Sequence, residues 1–231
     1  MIKRLAMLIA VFCLLLVGCA SVQATDGENT TPYDVTVNND TAVTEQIEEP
    51  KTIMPLPDNT MENLTDAILS VSLEEGDAYV DDDGIMQMNL KIYAYDQYDM
   101  VDIANLKVGD TIVRYDGNLE VTSKEQDGMG AVRINGGLEN DGFNLVTDED
   151  GVFYEMGYND VKSWYEVGEA TIRVSADFVF TDSSDLELGE MIFYPGSFLI
   201  GEVTNYNFGP GNTTVRVEKG QIIEMTRSYT P

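Results

Sequence analysis

From about residue 61 onward the chain is a succession of short β-branched and aromatic runs cut by glycine turns. Turn signals recur at Asp83-Gly84, Asp116-Gly117, Asp127-Gly128, Gly136-Gly137, Asp150-Gly151 and Lys219-Gly220. Glycine enters the positive-φ region at little cost, so each pair lets the chain reverse. Residues 85–95 carry the clearest strand: Met86, Met88, Leu90, Ile92 and Ala94 alternate with Gln87, Asn89, Lys91, Tyr93 and Tyr95. That is the period-two pattern of a half-buried strand. Many short strands at close turn spacing predict an all-β fold, a small barrel or sandwich of about ten short antiparallel strands. The hairpin over 215–223 is the firmest local element, with Lys219-Gly220 as its turn. Helix is confined to one or two short turns. One covers 98–106, where Met100, Ile103 and Leu106 recur at threes, and another short turn is expected within 160–165. An aliphatic–Gly–acid phrase opens three runs, at Val108-Gly109-Asp110, Val167-Gly168-Glu169 and Leu188-Gly189-Glu190, and reads as strand-entry punctuation. The pattern leaves open barrel or sandwich, and one core or two divided near Asp141.

The N-terminus has a different character. Lys3 and Arg4 precede an apolar stretch over 5–17, followed by Gly18-Cys19-Ala20-Ser21. A basic start, a short apolar core and small residues make a secretory signal, and the stretch is shorter than the ~20 apolar residues a membrane span needs. Leu16-Val17-Gly18-Cys19 resembles the lipobox of bacterial lipoproteins. The resemblance implies that residues 1–18 are removed, that Cys19 carries diacylglycerol, and that the mature chain is lipid-anchored to the outer face of the cell membrane. Residues 19–60 are rich in Thr, Asp, Glu, Asn and Pro without a sustained period. They read as a disordered acidic tether leading to an all-β domain over 61–231. Residues 98–112, Asn135-Gly136-Gly137-Leu138-Glu139-Asn140 and the terminal Tyr229-Thr230-Pro231 also resemble lipoproteins of Gram-positive anaerobes. That likeness implies the location and no activity.

Charge narrows the function. Forty-one acidic residues stand against thirteen basic ones, a formal charge of −28. Such a polyanion is repelled by phosphate backbones and anionic headgroups, so no nucleic-acid partner is expected. The chain has no histidine, and its two cysteines, Cys13 and Cys19, both lie in the N-terminal segment. Histidine triads, thiol catalysis, thiolate metal sites and disulfides are thereby removed from the domain. The composition suits only a hard, oxygen-ligated cation such as calcium.

Three constellations remain. Asp81, Asp82 and Asp83 precede Gly84, and Asp148, Glu149 and Asp150 precede Gly151. Clustered carboxylates in a turn can supply calcium ligands, although neither run has EF-hand spacing, and a solvated hairpin tip is the plainer reading. Tyr154, Tyr158, Trp164 and Tyr165 fall close together, and Tyr93 and Tyr95 stand on the outward face of the 85–95 strand. Exposed rings can stack on sugars while neighbouring polar groups take the hydroxyls; packing across strands is the alternative. Paired carboxylates could serve a polysaccharide hydrolase, but a chain this acidic supplies pairs by chance. The leading expectation is a non-catalytic module that binds an envelope glycan or a surface protein. A small carboxylate-dependent hydrolase and a structural lipoprotein with a calcium-dependent acidic surface are the alternatives.

Overall fold

The computed structural model describes residues 49–199 and 207–230. In chain order the first strands are β1 (Thr52–Ile53), β2 (Ala67–Ser72), β3 (Ala78–Val80), β4 (Met86–Ala94) and β5 (Gln97–Tyr98). After helix α1 (Met100–Asn105) come β6 (Thr111–Arg114), β7 (Gly117–Glu120), β8 (Lys124–Gln126), β9 (Val132–Ile134), β10 (Phe143–Thr147) and β11 (Phe153–Met156). The chain ends with β12 (Tyr165–Ser183), β13 (Met191–Phe193), helix α2 (Pro195–Leu199), β14 (Thr213–Glu218) and β15 (Gln221–Ser228). The class is all-β, as expected.

Five strands close on themselves. The main sheet runs β13-β12-β15-β14-β2-β4-β3, and β12 also pairs with β4, which joins the two sides into a barrel. Counted along the barrel alone, the strands meet in the order 1-2-3-5-4 and back to 1, with the third and fifth parallel. This is a five-stranded Greek-key barrel of the OB type. Closure depends on β12. Its first half pairs antiparallel with β4 from Tyr165 to Arg173, and its second half pairs parallel with β15 from Arg173 to Ser183. A 19-residue strand can serve two neighbours because it changes partner midway, with an irregularity between Val174 and Val179. Alternation on β4 aims Met88, Leu90 and Ile92 inward, where they pack with Leu69, Val71, Val215, Val217 and Ile222. Phe198 on α2 lies within 6.1 Å of Phe178, 5.5 Å of Phe180 and 6.2 Å of Phe208, ring centre to ring centre, and packs into this core.

A second core is inserted between β4 and β12. Strands β5, β11, β10, β9 and β8 form one antiparallel sheet, and β1, β6 and β7 form a three-stranded one. Tyr98, Ile103, Ile112, Ile134, Phe143 and Leu145 are fully buried here, and Ile53 joins them from β1. Helix α1 is capped at both ends. Asp99 accepts from Val101 N–H at 2.7 Å, and Lys124 Nζ donates to the carbonyls of Ile103, Ala104 and Leu106 at 2.6, 2.9 and 3.3 Å. These bonds satisfy groups that a helix end leaves without partners.

Several local expectations change. Folded structure begins before residue 61: Thr52 and Ile53 pair in parallel with Thr111 and Ile112, and Ile53 is buried. The expected tether is therefore too long at its end, because two residues of strand can be held by a partner fifty-nine residues away and show no period of their own. Two cores exist, but the second is an insertion and not a half beginning near Asp141. One of the strands expected to be short is long, because β12 runs unbroken from Tyr165 to Ser183. Gly109 and Gly189 take positive φ before strands, as the recurring phrase predicts, whereas Gly168 sits inside β12 at a register shift. There a Cβ would come within 2.8 Å of the Met61 side chain. The turn expected within 160–165 falls earlier, as a 3₁₀ turn over Tyr158–Asp160.

Candidate functional site

The ends of the insertion meet at one place. Ala94 and Tyr165 are register partners across β4 and β12, so Tyr95 and Trp164, the next residues outward, come together. Their ring centres are 4.9 Å apart at 83°, an edge-to-face contact, and Tyr154 meets Tyr95 edge-on at 5.7 Å. A bridge pairs Lys162 with Met156, which sets the lysine one diagonal step from Tyr154. Its ammonium then lies 3.8 Å from the Tyr95 ring centre, 4.6 Å from Tyr154 and 5.8 Å from Trp164. Three electron-rich faces hold one cation. Gln97 fixes the principal ring, its side-chain amide donating to the Tyr95 hydroxyl at 2.9 Å.

Beside this cluster is a cavity of about 340 Å³. Tyr93, Tyr95 and Trp164 give it aromatic walls, Leu56, Pro57 and Ile68 an apolar rim, and Asp58, Thr60, Ser70, Gln97 and Lys162 its polar groups. Ser70 is the register partner of Tyr93 across β2 and β4, so both project to the same side of the sheet. Tyr93 is half-buried, with its hydroxyl 3.1 Å from Ser72 Oγ. Asp58 is held in its own turn, where Oδ1 accepts from Thr60 N–H at 3.0 Å. Ile68 is 73% exposed, an unusual position for a large aliphatic side chain at the edge of a cavity.

Of the six aromatic residues singled out in the sequence, Tyr93, Tyr95 and Trp164 line the cavity, and Tyr154 supports Tyr95 from behind. The other two are elsewhere. Tyr158 is 71% exposed, its hydroxyl donating to the Leu138 carbonyl. Tyr165 stacks on Tyr115 with ring centres 4.7 Å apart and donates to Asp96 Oδ1 at 3.2 Å. Burial and the neighbouring Asp96 charge push its phenol up to about 12. Lys162 and the polar groups from 58–70 were not among the sequence candidates. The one available signal is the Lys162-x-Trp164 spacing, which places both side chains on the same side of an extended segment.

The acidic turns have a structural employment. Asp81 Oδ1 accepts from the amides of Asp83 and Ile85, and Oδ2 from the Gln87 side chain at 2.8 Å. The Gln87 bond first, and the Ile85 amide second, hold this carboxyl below its ordinary range. Asp148 Oδ1 accepts from Asp150 and Val152, and Asp127 Oδ1 accepts in the same way from Met129 and Ala131. The shared pattern is Asp-x-x-Gly, with Gly84, Gly130 and Gly151 all at positive φ. Asp82, Asp83 and Asp150 are exposed at the tips of their turns. Among the described residues, no group of three or more acidic, histidine or cysteine side chains is arranged to hold a metal ion.

Besides Asp110, which accepts from the Lys51 and Lys107 amides, two carboxylates are buried in the insertion. Asp96 accepts from Tyr115 N–H at 2.7 Å, and burial pushes its carboxyl above the ordinary carboxylate range despite that bond. Glu155 is paired with Arg114 through two bonds of 2.9 Å and accepts from Ser163 at 3.0 Å. Each residue is only 5% exposed, and neither lines the aromatic cavity. They tie the insertion together, and a hydrolase would need such a pair facing a cleft.

No family model, no curated protein and no solved structure matches the chain. The expected signal segment, Cys19 and the expected tether up to residue 48 lie outside the described residues. Among those described, no helix is long and apolar enough to cross a membrane.

Proposed function

We propose that this chain is a lipid-anchored, non-catalytic binding module of the bacterial cell envelope, and that its ligand is a glycan. The cavity beside Tyr95 and Trp164 carries the reading. Flat rings can cover the apolar face of a pyranose, and Thr60, Ser70 and Gln97 offer donors and acceptors for its hydroxyls. The Greek-key barrel adds a fold-level analogy, because OB-type barrels bind oligosaccharides among other ligands; an analogy of fold does not by itself assign a function. The lipobox resemblance at Cys19 supports the location. The residues after it, with their acidic charge, would hold the barrel away from the membrane surface.

A surface protein is the other partner this module could take, and the exposed Ile68 beside the rings would suit one. The aromatic cavity favours the sugar, because hydroxyl and amide groups share its lining with aromatic rings.

Trp164 is the only tryptophan, so its fluorescence reports on this cavity without labelling. Titration with fragments of envelope polysaccharide should shift or quench the emission saturably. Calorimetry on Tyr95→Ala should show the binding lost. Saturable binding with no change in Trp164 emission would place the ligand elsewhere, and no binding to any envelope glycan would remove the reading.

A further inference from the structure

The chemistry of Lys162 deepens this reading and rests on it. Among the described residues the half-buried or buried cations fall into two groups. Arg114 and Arg227 are neutralised by the carboxylates of Glu155 and Asp182, and Lys124 is surrounded by helix carbonyls. Lys162, also half-buried, makes no ion pair, and its described contacts are with three rings. In a chain with 41 acidic residues, carboxylates are abundant, yet none of the described ones pairs with this ammonium.

The distinction matters physically. A salt bridge cancels the charge it holds. Ring faces fix an ammonium and strip part of its water while leaving its full positive charge available. Gln97 in turn fixes the Tyr95 ring on which the ammonium sits most closely. The result is a pre-positioned, uncompensated cation on the wall of a cavity that also offers stacking surfaces and hydroxyls. The chain's overall negative charge does not defeat it, because charges beyond about 8 Å are largely screened at physiological salt. Asp58, the acid on the same cavity, accepts from Thr60 in its own turn.

We infer that the ligand is an acidic glycan, whose anionic substituent is received by Lys162 while its sugar ring stacks in the aromatic cavity. The substituent is a carboxylate, as on a uronic acid, or a phosphodiester, as on a polyol-phosphate chain. Both present an oxygen anion that can accept from an ammonium, and the experiment separates them.

The full chain is titrated, following Trp164 emission and calorimetry, with a neutral N-acetylglucosamine tetramer, a tetramer alternating glucuronate with N-acetylglucosamine, and a glycerol-phosphate hexamer whose glycerols carry N-acetylglucosamine. One charged ligand should bind about tenfold tighter than the neutral tetramer, the range of a single charge-assisted hydrogen bond. The arm that does so identifies the substituent. Lys162→Gln should bring the ratio of charged to neutral affinity to about one, and Lys162→Arg should retain the preference. Equal affinity for neutral and charged ligands, or a preference that survives Lys162→Gln, would overturn the acidic assignment and leave glycan binding standing. Failure of all three ligands to bind would overturn both.

Discussion

The barrel and its insertion are both β structure, but they are held together by different means. Barrel strands are long: nine residues in β4, nineteen in β12 and eight in β15. Their ladders satisfy most of their own backbone groups, and their core is apolar apart from the buried Asp182, Thr213 and Arg227. Insertion strands run from two to five residues, too short for ladders to do the same. Side chains take over there. Asp110 accepts from the amides of Lys51 and Lys107, Asn135 accepts from Thr122 and Ser123, and Lys124 caps α1. Buried Asp96 and the Arg114–Glu155 pair tie further loops. Where strands are short, the cost of unpartnered backbone is met by polar side chains, and a small region can fold without a large apolar core.

The sharpest way to break this comparison is to separate the two parts. Replacing residues 96–163 by Asn-Gly would leave Tyr95 and Trp164 as a hairpin closure beside the Ala94–Tyr165 pair. The barrel should then keep a cooperative thermal transition, while the excised insertion alone should show none by circular dichroism. A structured isolated insertion would mean that its polar ties suffice without the barrel.

Next in size is an ion pair buried in the barrel. Arg227 Nε donates to Asp182 Oδ1 at 3.0 Å, and both side chains are 3% exposed. Asp182→Ala would leave a buried guanidinium without its carboxylate and should cost about 3–5 kcal/mol in urea unfolding. An additional Arg227→Met should recover much of that loss. If the single variant costs under 1 kcal/mol, the barrel core tolerates charge as the insertion does, and the contrast between the two regions weakens.

A smaller effect is expected in the insertion. Tyr98 is fully buried and its hydroxyl donates to the Val113 carbonyl at 3.1 Å. Tyr98→Phe removes one neutral hydrogen bond and should cost about 1 kcal/mol, read by hydrogen exchange of the β6 and β11 amides. Protection should fall there and stay unchanged in β14 and β15.

The smallest effect is in pH dependence, and it has opposite signs in the two regions. Burial raises the Asp96 carboxyl above its ordinary value. Burial acts in the same direction on Asp182, but bonds from Arg227 and Ser184 overcome it and the carboxyl lies below its ordinary value. A raised folded value means that Asp96 favours the fold increasingly as pH falls through that value. A lowered one means that Asp182 stabilises above the unfolded value of about 3.9 and that this is lost as pH falls through the folded value. Carboxyl-carbon NMR titration should place the Asp96 midpoint above that of Asp182. Coinciding midpoints would show the two environments to be alike.

What was legible followed the same divide. Period-two alternation over 86–94 and the Lys219-Gly220 hairpin are written in adjacent residues, and both are present as read. Thr52-Ile53 carries no such period, because its burial comes from β6 and not from its own pattern. The acidic runs at 81–83 and 148–150 read either as calcium ligands or, more plainly, as solvated hairpin tips; the structure adds that Asp81 and Asp148 accept their own turns' amides, through the Asp-x-x-Gly spacing shared with Asp127. At the candidate site, Trp164 and Tyr95 were visible as exposed-type aromatics. Lys162 was not, since nothing near it in the chain points to Tyr95, sixty-seven positions earlier.

By itself the sequence determined the β class, the positions of the tight turns, the acidic charge and the absence of histidine and thiol chemistry from the domain. These depend on residue type and on neighbours two to four positions apart, where local sterics and side-chain alternation decide the outcome. Tertiary structure alone decided that β12 changes partner and closes a barrel, that residues 95–164 form an insertion, and that three rings gather around Lys162. Each of these is a contact between distant segments. Its energy arises only once the chain has been brought together, and no short-range pattern carries it.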